Sequence, residues 1–115
     1  MKEYSAEIQK LFLEMMMQDA ETFVRVQNIF NFENFDRSLR DTAKFIKEHS
    51  SEYKTMPTKE QIKATTGVEL KEVPDVGEGH YDWFMSEFES FSRRQELERA
   101  ILKAADMIEE GDYDP

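Results

Sequence analysis

Apolar residues recur at every third or fourth position along most of the chain, which is the spacing of helices that bury one face. A first run follows Ser5, a residue type that caps helix starts, and comprises Ile8, Leu11, Phe12, Met15 and Met16. Asp19 is placed to cap a second helix, whose apolar positions are Phe23, Val26 and Phe30. Because methionine is a flexible apolar filler, we expect the core to take up most of the cluster Met15, Met16 and Met17.

Two more helices are predicted between residues 35 and 67. One covers about Phe35 to Glu52, and its single apolar face consists of Phe35, Leu39, Ala43 and Ile46. The other begins at Thr58, because Thr58 and Gln61 have the spacing of a capping box, and Gly67 suits its end. The stretch 28–34, rich in Asn and Phe, is interpreted as a connection packed on the core.

The last predicted helix is unusually long. Residues 68–79, which contain Pro74 and two glycines, are predicted to be a linker. The helix then runs from about His80 to Glu109, with apolar residues at Tyr81, Phe84, Phe88 and Phe91. After one drift in the spacing, the apolar pattern continues at Leu97, Ile101, Ala104 and Ile108. Such a helix spans roughly 45 Å, more than a head of roughly 75 residues can cover. We expect part of it to project and to pack on something else.

These elements predict an all-α fold in a single domain. A small helical bundle, the head, occupies residues 1–67, followed by the linker at 68–79 and the long helix at 80–110. A chain of 115 residues buries roughly two-thirds of its unfolded surface, which is enough for one modest core.

The chain is strongly acidic, with 25 Asp and Glu residues against 15 Lys and Arg residues and a net charge of −10. Because a phosphate backbone attracts proteins electrostatically, we expect no direct DNA binding and favour a basic protein partner. Cysteine is absent, which excludes disulfides, thiolate metal sites and a cysteine nucleophile. No apolar run approaches the ~20 residues of a membrane span, and no secretory signal is evident. We therefore expect a soluble cytoplasmic protein that makes no membrane contact.

The residue types of catalysis and cofactor binding form no convincing motif. None of the four glycines lies in a phosphate-binding loop with Lys and Ser or Thr, so we expect no ATP site and no cofactor. Glu78, His80 and Asp82 lie at a predicted helix start and are a weak candidate for a metal site. Acidic side chains are also common at helix starts because they interact favourably with the helix dipole. A nucleophile is an equally weak alternative at a helix end, at His49, Ser50 and Ser51.

The third predicted helix carries a local basic stripe, formed by Arg37, Arg40, Lys44 and Lys47. The favoured interpretation is a solvated face in which these residues pair with acids one turn away, as Glu33–Arg37, Asp36–Arg40 and Lys44–Glu48. The alternative, a contact with a partner or a phosphate group, stays open.

The later half of the long helix is the candidate site for self-association. Its apolar positions Leu97, Ile101, Ala104 and Ile108 are flanked by alternating charges, a pattern typical of a helix that packs against another helix. Phe84 and Phe88 are instead predicted to belong to the core. We therefore expect an intermolecular or hairpin contact at the four later positions.

Several short segments occur in a characteristic order. Residues 4–11 form an early helix, Asp19 precedes Phe23, a turn with Phe32 and Phe35 leads into Phe45-Ile46, and Tyr53 precedes Met56-Pro57-Thr58 and a short helix. Followed by a long helix, this order resembles the N-terminal domain of DnaB-type replicative helicases, particularly the diverged phage helicases. The resemblance covers nearly the whole chain and consists of helices and turns.

The resemblance implies a collar domain of a ring helicase. Such a domain is a helical head followed by a helical hairpin, and it supports hexamer assembly and contacts the primase. The long helix would be one arm of that hairpin, with Leu97, Ile101, Ala104 and Ile108 used for self-association. The ATPase lies in a separate domain that these 115 residues lack, so the chain itself is expected not to be an enzyme. It also stops at Pro115, about where the second arm would begin.

The residues leave a second hypothesis open: a free-standing acidic helical adaptor or inhibitor that binds a basic protein. Its support is the net charge of −10 together with the small size. A hydrolase has almost no support, because only His49 and His80 could serve as histidine bases.

Overall fold

The structure, a computed structural model, describes residues 3–73 and 78–109. Of residues 78, 108 and 109 it describes the backbone alone. It contains the helices α1 (Ala6–Gln18), α2 (Ala20–Val26), α3 (Arg37–Tyr53), α4 (Lys59–Thr66) and α5 (Glu78–Glu109), with a 3₁₀ turn at Phe32–Asn34. The described residues include no strand. The predicted all-α fold with a long last helix is therefore confirmed.

The helix starts follow from short polar side chains that satisfy free backbone amides. Ser5 Oγ accepts a hydrogen bond from the Ile8 amide at 3.3 Å, and Asp19 Oδ1 accepts one from the Glu21 amide at 3.0 Å. Both starts were predicted and are confirmed. Such a cap contributes about 1 kcal/mol to the helix that it begins.

Helix α3 begins at Arg37, two residues later than the predicted start at Phe35. The reason is Asp36, whose carboxylate accepts hydrogen bonds from both the amide and the hydroxyl of Ser38. The hydrogen bond from the Ser38 hydroxyl has the larger effect and, together with the one from the Ser38 amide, lowers the pKa of Asp36. Phe35 therefore precedes the helix, and its side chain is fully buried in the core. Leu39, Ala43 and Ile46 form the predicted buried face of α3.

Helix α4 has the predicted capping box. Thr58 Oγ1 accepts from the Gln61 amide at 3.1 Å, and the Thr58 amide donates to Gln61 Oε1 at 2.8 Å. The helix ends at Gly67, which has a φ of 80°, a left-handed conformation that favours glycine. Both predicted ends of α4 are confirmed.

We expect Thr58→Ala to lower the free energy of unfolding by about 1 kcal/mol, because it removes the acceptor for the Gln61 amide. Urea denaturation followed by circular dichroism measures this change. Thr65→Ala is the matched control, since Thr65 is exposed on the same helix and caps nothing. Equal effects of the two substitutions would show that the capping box does not stabilise α4.

The core is a cluster of phenylalanine rings at the centre of the head. Phe12 of α1 lies 5.5 Å from Phe88 and 5.5 Å from Phe91 of α5, measured between ring centroids. Phe88 also lies 6.3 Å from Phe35. Met16 of the methionine cluster is fully buried, and Met15 and Met17 pack against the core from its edge. The 28–34 connection contributes the buried Phe30 and Asn34.

The segment between α4 and α5 divides into two parts. Residues 68–73 contact the head, since Leu70 is buried and the Lys71 amide donates to Glu14 Oε2 at 2.7 Å. Residues 74–77 of the predicted linker lie outside the described residues. Helix α5 begins at Glu78, two residues before the predicted start at His80. The described part of the predicted linker is therefore attached to the head.

The contact between α5 and the 3₁₀ turn holds two buried polar side chains. Among the described residues, Ser92 Oγ and both side-chain polar atoms of Asn34 lack hydrogen-bond partners. A buried polar atom that makes no hydrogen bond lowers stability by about 1–3 kcal/mol.

We expect Ser92→Ala to raise the free energy of unfolding by about 1 kcal/mol or more, because it removes a buried hydroxyl that has no partner. Part of any gain reflects the higher helix propensity of alanine. Ser90→Ala on the same helix corrects for that part, since Ser90 is exposed. Thermal or urea unfolding should show a larger gain at position 92 than at position 90, and equal gains would refute this explanation.

Candidate interaction surface of the long helix

The head covers one side of α5. Phe84, Phe88 and Phe91 are fully buried and point into the phenylalanine cluster. The Tyr4 hydroxyl donates to Glu87 Oε2 at 3.0 Å, which ties the start of the chain to the same part of the helix. The first four turns of α5 are thus held by the core.

The contacts between the head and α5 continue as far as Arg99. Gln95 Nε2 donates to the Asn34 carbonyl oxygen at 2.9 Å, and an Arg99 terminal nitrogen lies 3.7 Å from Glu33 Oε2. Every side chain described between residues 100 and 107 is exposed. The molecule measures 55 × 31 × 23 Å, as expected if the helix extends past the head.

The part of α5 that extends past the last core contact carries large exposed apolar side chains. Leu97 is 61% exposed, Ile101 58%, Leu102 64% and Met107 47%. Exposed alanines lie between them, at Ala100, Ala104 and Ala105. Leu97 and Ile101 share one side of the helix, and Leu102 and Met107 lie about 100–120° to either side of them. Exposed large apolar side chains grouped in this way mark an interaction site. We call this surface, Leu97 to Met107, the apolar arm.

The candidate self-association residues lie in this arm, on the side of the helix away from the head. Leu97, Ile101 and Ala104 are exposed, and Ile108 lies in the helix with its side chain outside the described residues. At about 100° per residue, their positions centre about 140° from those of Phe84, Phe88 and Phe91. The predicted drift in the pattern lies between Phe91 and Leu97, which are six residues apart and point in different directions.

Other exposed apolar residues were not predicted as site residues. Leu102 continues the direction of Phe84 and Phe88 past the end of the head, and Met107 widens the arm on its other side. Trp83, 38% exposed, lies near the start of α5, and its ring packs against the head with its centroid 6.1 Å from that of Phe12. Their presence on α5 follows from the sequence, but their exposure depends on where the head ends.

The basic stripe of α3 has partners other than the predicted acids. Arg40 Nε donates to the Phe35 carbonyl oxygen at 2.9 Å, while Lys44 Nζ lies 5.5 Å from the Phe32 ring centre and Lys47 Nζ 6.0 Å from that of Phe23. Among the described residues, no ion pair within 4.0 Å joins the predicted partners Glu33–Arg37, Asp36–Arg40 and Lys44–Glu48. The three close ion pairs are therefore not formed, because neighbouring aromatic rings and a backbone carbonyl compete for the cations. The predicted solvated face holds for Arg37, Arg40 and Lys44, which are exposed, and the charge of Arg40 contributes to the lowered pKa of Asp36.

The residues considered for catalysis have structural neighbours. Ser50 Oγ donates to the Ile46 carbonyl oxygen at 2.9 Å, within α3. The His49 ring packs 4.7 Å from the Tyr53 ring and 5.6 Å from the Phe45 ring, measured between centroids. These three rings border a shallow groove between α3 and α4. The hydroxyl of Ser50 is therefore bonded within its own helix, and His49 packs between two aromatic rings.

The described part of the chain has no cluster of metal-binding side chains and no membrane-spanning helix. No three His, Asp or Glu side chains there lie close enough to hold a metal ion. His80 and Asp82 are exposed on the first turn of α5, and the Glu78 side chain lies outside the described residues. Within the same residues, no helix is both long and apolar enough to cross a bilayer.

Another concave surface among the described residues is a groove of ≈ 300 Å³ between α2 and the end of α3. Phe23, Val24 and Met56 supply its apolar lining, and Lys54 lies at its border. Val24 is 57% exposed there. Val24 is the only exposed large apolar side chain described in this lining, whereas the apolar arm has four.

Comparisons of the chain with protein-family models, with curated proteins and with solved structures give no match. The resemblance to the helicase N-terminal domain therefore stays a prediction from the order of the elements. The exposed apolar arm is the feature from which a function can be argued.

Proposed function

We propose that this chain is a non-catalytic helical interaction module that self-associates through the apolar arm of α5. The observation that carries the proposal is the exposure of Leu97, Ile101, Leu102 and Met107, all of which follow Phe91, the last buried apolar residue described in α5. Exposed apolar surface of this extent on one helix is stabilised when a second helix covers it. Each such side chain contributes about 1.5–3 kcal/mol when it passes from water to a fully buried contact.

We further propose that the module is the collar domain of a DnaB-type replicative helicase, with the arm as the first half of a helical hairpin. The supporting observation is the order of the elements: a head, a connecting segment and a helix that extends beyond the head. In this proposal the head would contact primase or another replication protein, and DNA would be contacted by other parts of the helicase.

Self-association is tested by measuring the mass of the 115-residue chain in sedimentation equilibrium over a wide range of concentrations. We expect the mass to rise above the 13.7 kDa of one chain as the concentration increases. A constant mass of one chain up to millimolar concentration would overturn the proposal.

The helicase assignment is tested separately, by reading the gene beyond the codon for Pro115. A second amphipathic helix followed by a glycine-rich loop with Lys and Ser or Thr would support it, because that loop binds nucleotide phosphates. A stop within a few codons would overturn the helicase assignment and leave self-association untouched.

The second candidate function is an acidic adaptor that binds a basic protein. The observation that favours it is the net charge of −10. Binding of this kind weakens steeply as salt rises, whereas association through apolar side chains does not. Binding of the chain to a basic protein such as lysozyme, measured by calorimetry at low and high salt, distinguishes the two sources of affinity.

A further inference from the structure

The groove between α2 and the end of α3 combines an apolar lining with an absence of acidic side chains. Phe23, Val24 and Met56 supply the apolar surface. Among the described residues that line the groove, none is Asp or Glu, although 25 of the 115 residues of the chain are acidic. Its volume of ≈ 300 Å³ lies at the low end of the roughly 300–1,000 Å³ of ligand pockets, so it suits one or two side chains of a larger molecule.

Two lysines lie at this groove. Lys54 lines it, and Lys47 Nζ lies 6.0 Å from the ring centre of Phe23, which also lines it. At about 100° per residue, positions 47 and 54 are about 20° apart on α3, whereas Glu48 and Glu52 point about 100° or more away from both. Neither lysine makes an ion pair within 4.0 Å with another described residue. The groove therefore offers unpaired positive charge beside apolar surface, on a chain whose net charge is −10.

The backbone of Lys54 has an unusual conformation. Its φ is 58°, and within the described part of the chain it is the only residue other than glycine with a positive φ. This conformation favours glycine, which the chain has at the end of α4, where Gly67 has a φ of 80°. Strained backbone of this kind occurs preferentially at functional sites. It is therefore a second observation, independent of the charge, that points to a use of the Lys54 side chain.

We propose that the groove binds a short peptide segment of a partner protein in which a large apolar residue is flanked by Asp or Glu. The apolar side chain packs against Phe23, Val24 and Met56, and the carboxylates pair with Lys47 and Lys54. The inference goes beyond the proposed self-association and does not depend on it, because no residue of the apolar arm lines the groove.

The polar side chains of the groove favour a peptide over a fatty acid, which would offer the same combination of carboxylate and apolar surface. Gln27, Ser51 and Thr55 line the groove, and their side chains make no hydrogen bond with another described residue. A peptide backbone has amides and carbonyl groups that can bond to them. An alkyl chain would exclude water from these groups without replacing its hydrogen bonds, which is unfavourable.

Selection from a library of random peptides displayed on phage tests this inference. The chain is the target, and the Val24→Glu variant is used to remove peptides that bind elsewhere. Because Val24 is 57% exposed, the variant should keep its fold, which circular dichroism verifies. We expect the remaining peptides to share a large apolar residue flanked by Asp or Glu. Peptides that are basic, or a failure of every peptide to distinguish the two proteins, would overturn the inference, and binding of decanoate in that case would assign the groove to fatty acids.

A synthetic peptide from this selection, labelled with fluorescein, then tests the role of Lys54 by fluorescence anisotropy. We expect Lys54→Gly to raise Kd roughly two- to five-fold, because it removes one exposed ion pair. The same substitution should raise the midpoint of urea denaturation, because glycine adopts a positive φ without strain. Lys54→Arg keeps the charge and should keep the affinity.

Lys71→Gln is the matched control for the loss of one positive charge. Lys71 is exposed, makes no ion pair with a described residue and does not line the groove, so its substitution should leave Kd unchanged. An equal loss of affinity at positions 54 and 71 would show a general effect of charge and overturn the inference. If Lys54→Gly lowers the urea midpoint and leaves Kd unchanged, Lys54 only stabilises the end of α3, and the inference is again wrong. Each of these results leaves the proposed self-association untouched.

Discussion

The double substitution of Leu97→Glu and Ile101→Glu is expected to leave the chain folded and monomeric. It replaces two exposed apolar side chains of the arm by carboxylates, which would have to be desolvated at an interface. We expect the dimer to lose about 3 kcal/mol or more, which is on the order of 100-fold or more in Kd. Sedimentation equilibrium gives the Kd, and circular dichroism verifies that the helices remain.

A matched control adds two negative charges elsewhere. Gln18→Glu with Ser51→Glu changes the net charge equally, at exposed positions of α1 and α3 in the head. We expect this variant to keep its self-association within a few-fold. If both double variants weaken association equally, general charge repulsion explains the loss and the apolar arm is not the interface.

The substitution Phe88→Ala is expected to be among the most destabilising in the chain. The Phe88 ring is fully buried, lies 5.4 Å from Phe84 and 5.5 Å from Phe12, and connects α5 to the head. Truncation of a core phenylalanine lowers the free energy of unfolding by about 3–5 kcal/mol. That is a large fraction of the roughly 5–15 kcal/mol of a typical domain, so urea denaturation should show a marked shift of the midpoint.

Leu102→Ala is the control for this effect. Leu102 points in nearly the same direction as Phe88 but lies past the end of the head, where it is 64% exposed. Measured on the monomer at low concentration, its truncation should change the free energy of unfolding by less than about 0.5 kcal/mol. A large loss at Leu102 would mean that the arm folds back on the head.

Local chemistry explains why the helices of the head could be predicted. Ser5, Asp19, Thr58 and Gly67 act on amides or carbonyl groups a few residues away, so their effect is visible in a short stretch of sequence. The start of α3 was misplaced because Phe35 fits the helical spacing of the apolar face while Asp36, as the cap, decides the boundary. Apolar spacing identifies a helix, and capping groups set its ends.

The exposure of the apolar arm could not be obtained from spacing alone. Helical spacing already directs Leu97 and Ile101 away from the side of Phe91, but their exposure depends on where the head ends along α5, at the contacts of Gln95 and Arg99. The partners of Lys44 and Lys47 depend on Phe32 and Phe23, which come from other elements. Contacts between distant segments require the tertiary fold, which a search for local ion pairs does not include.

The one-sided attachment of α5 has a consequence for the exchange of its amide hydrogens. Amides around Phe88 lie in the core and should exchange only when the whole domain unfolds, whereas those after Arg99 should exchange by local fraying of the last turns. In dilute solution, protection should therefore fall steeply along a single continuous helix. As the concentration rises and a second copy covers the apolar arm, protection should increase beyond Arg99 and stay unchanged at Phe88, so one helix would report both folding and assembly.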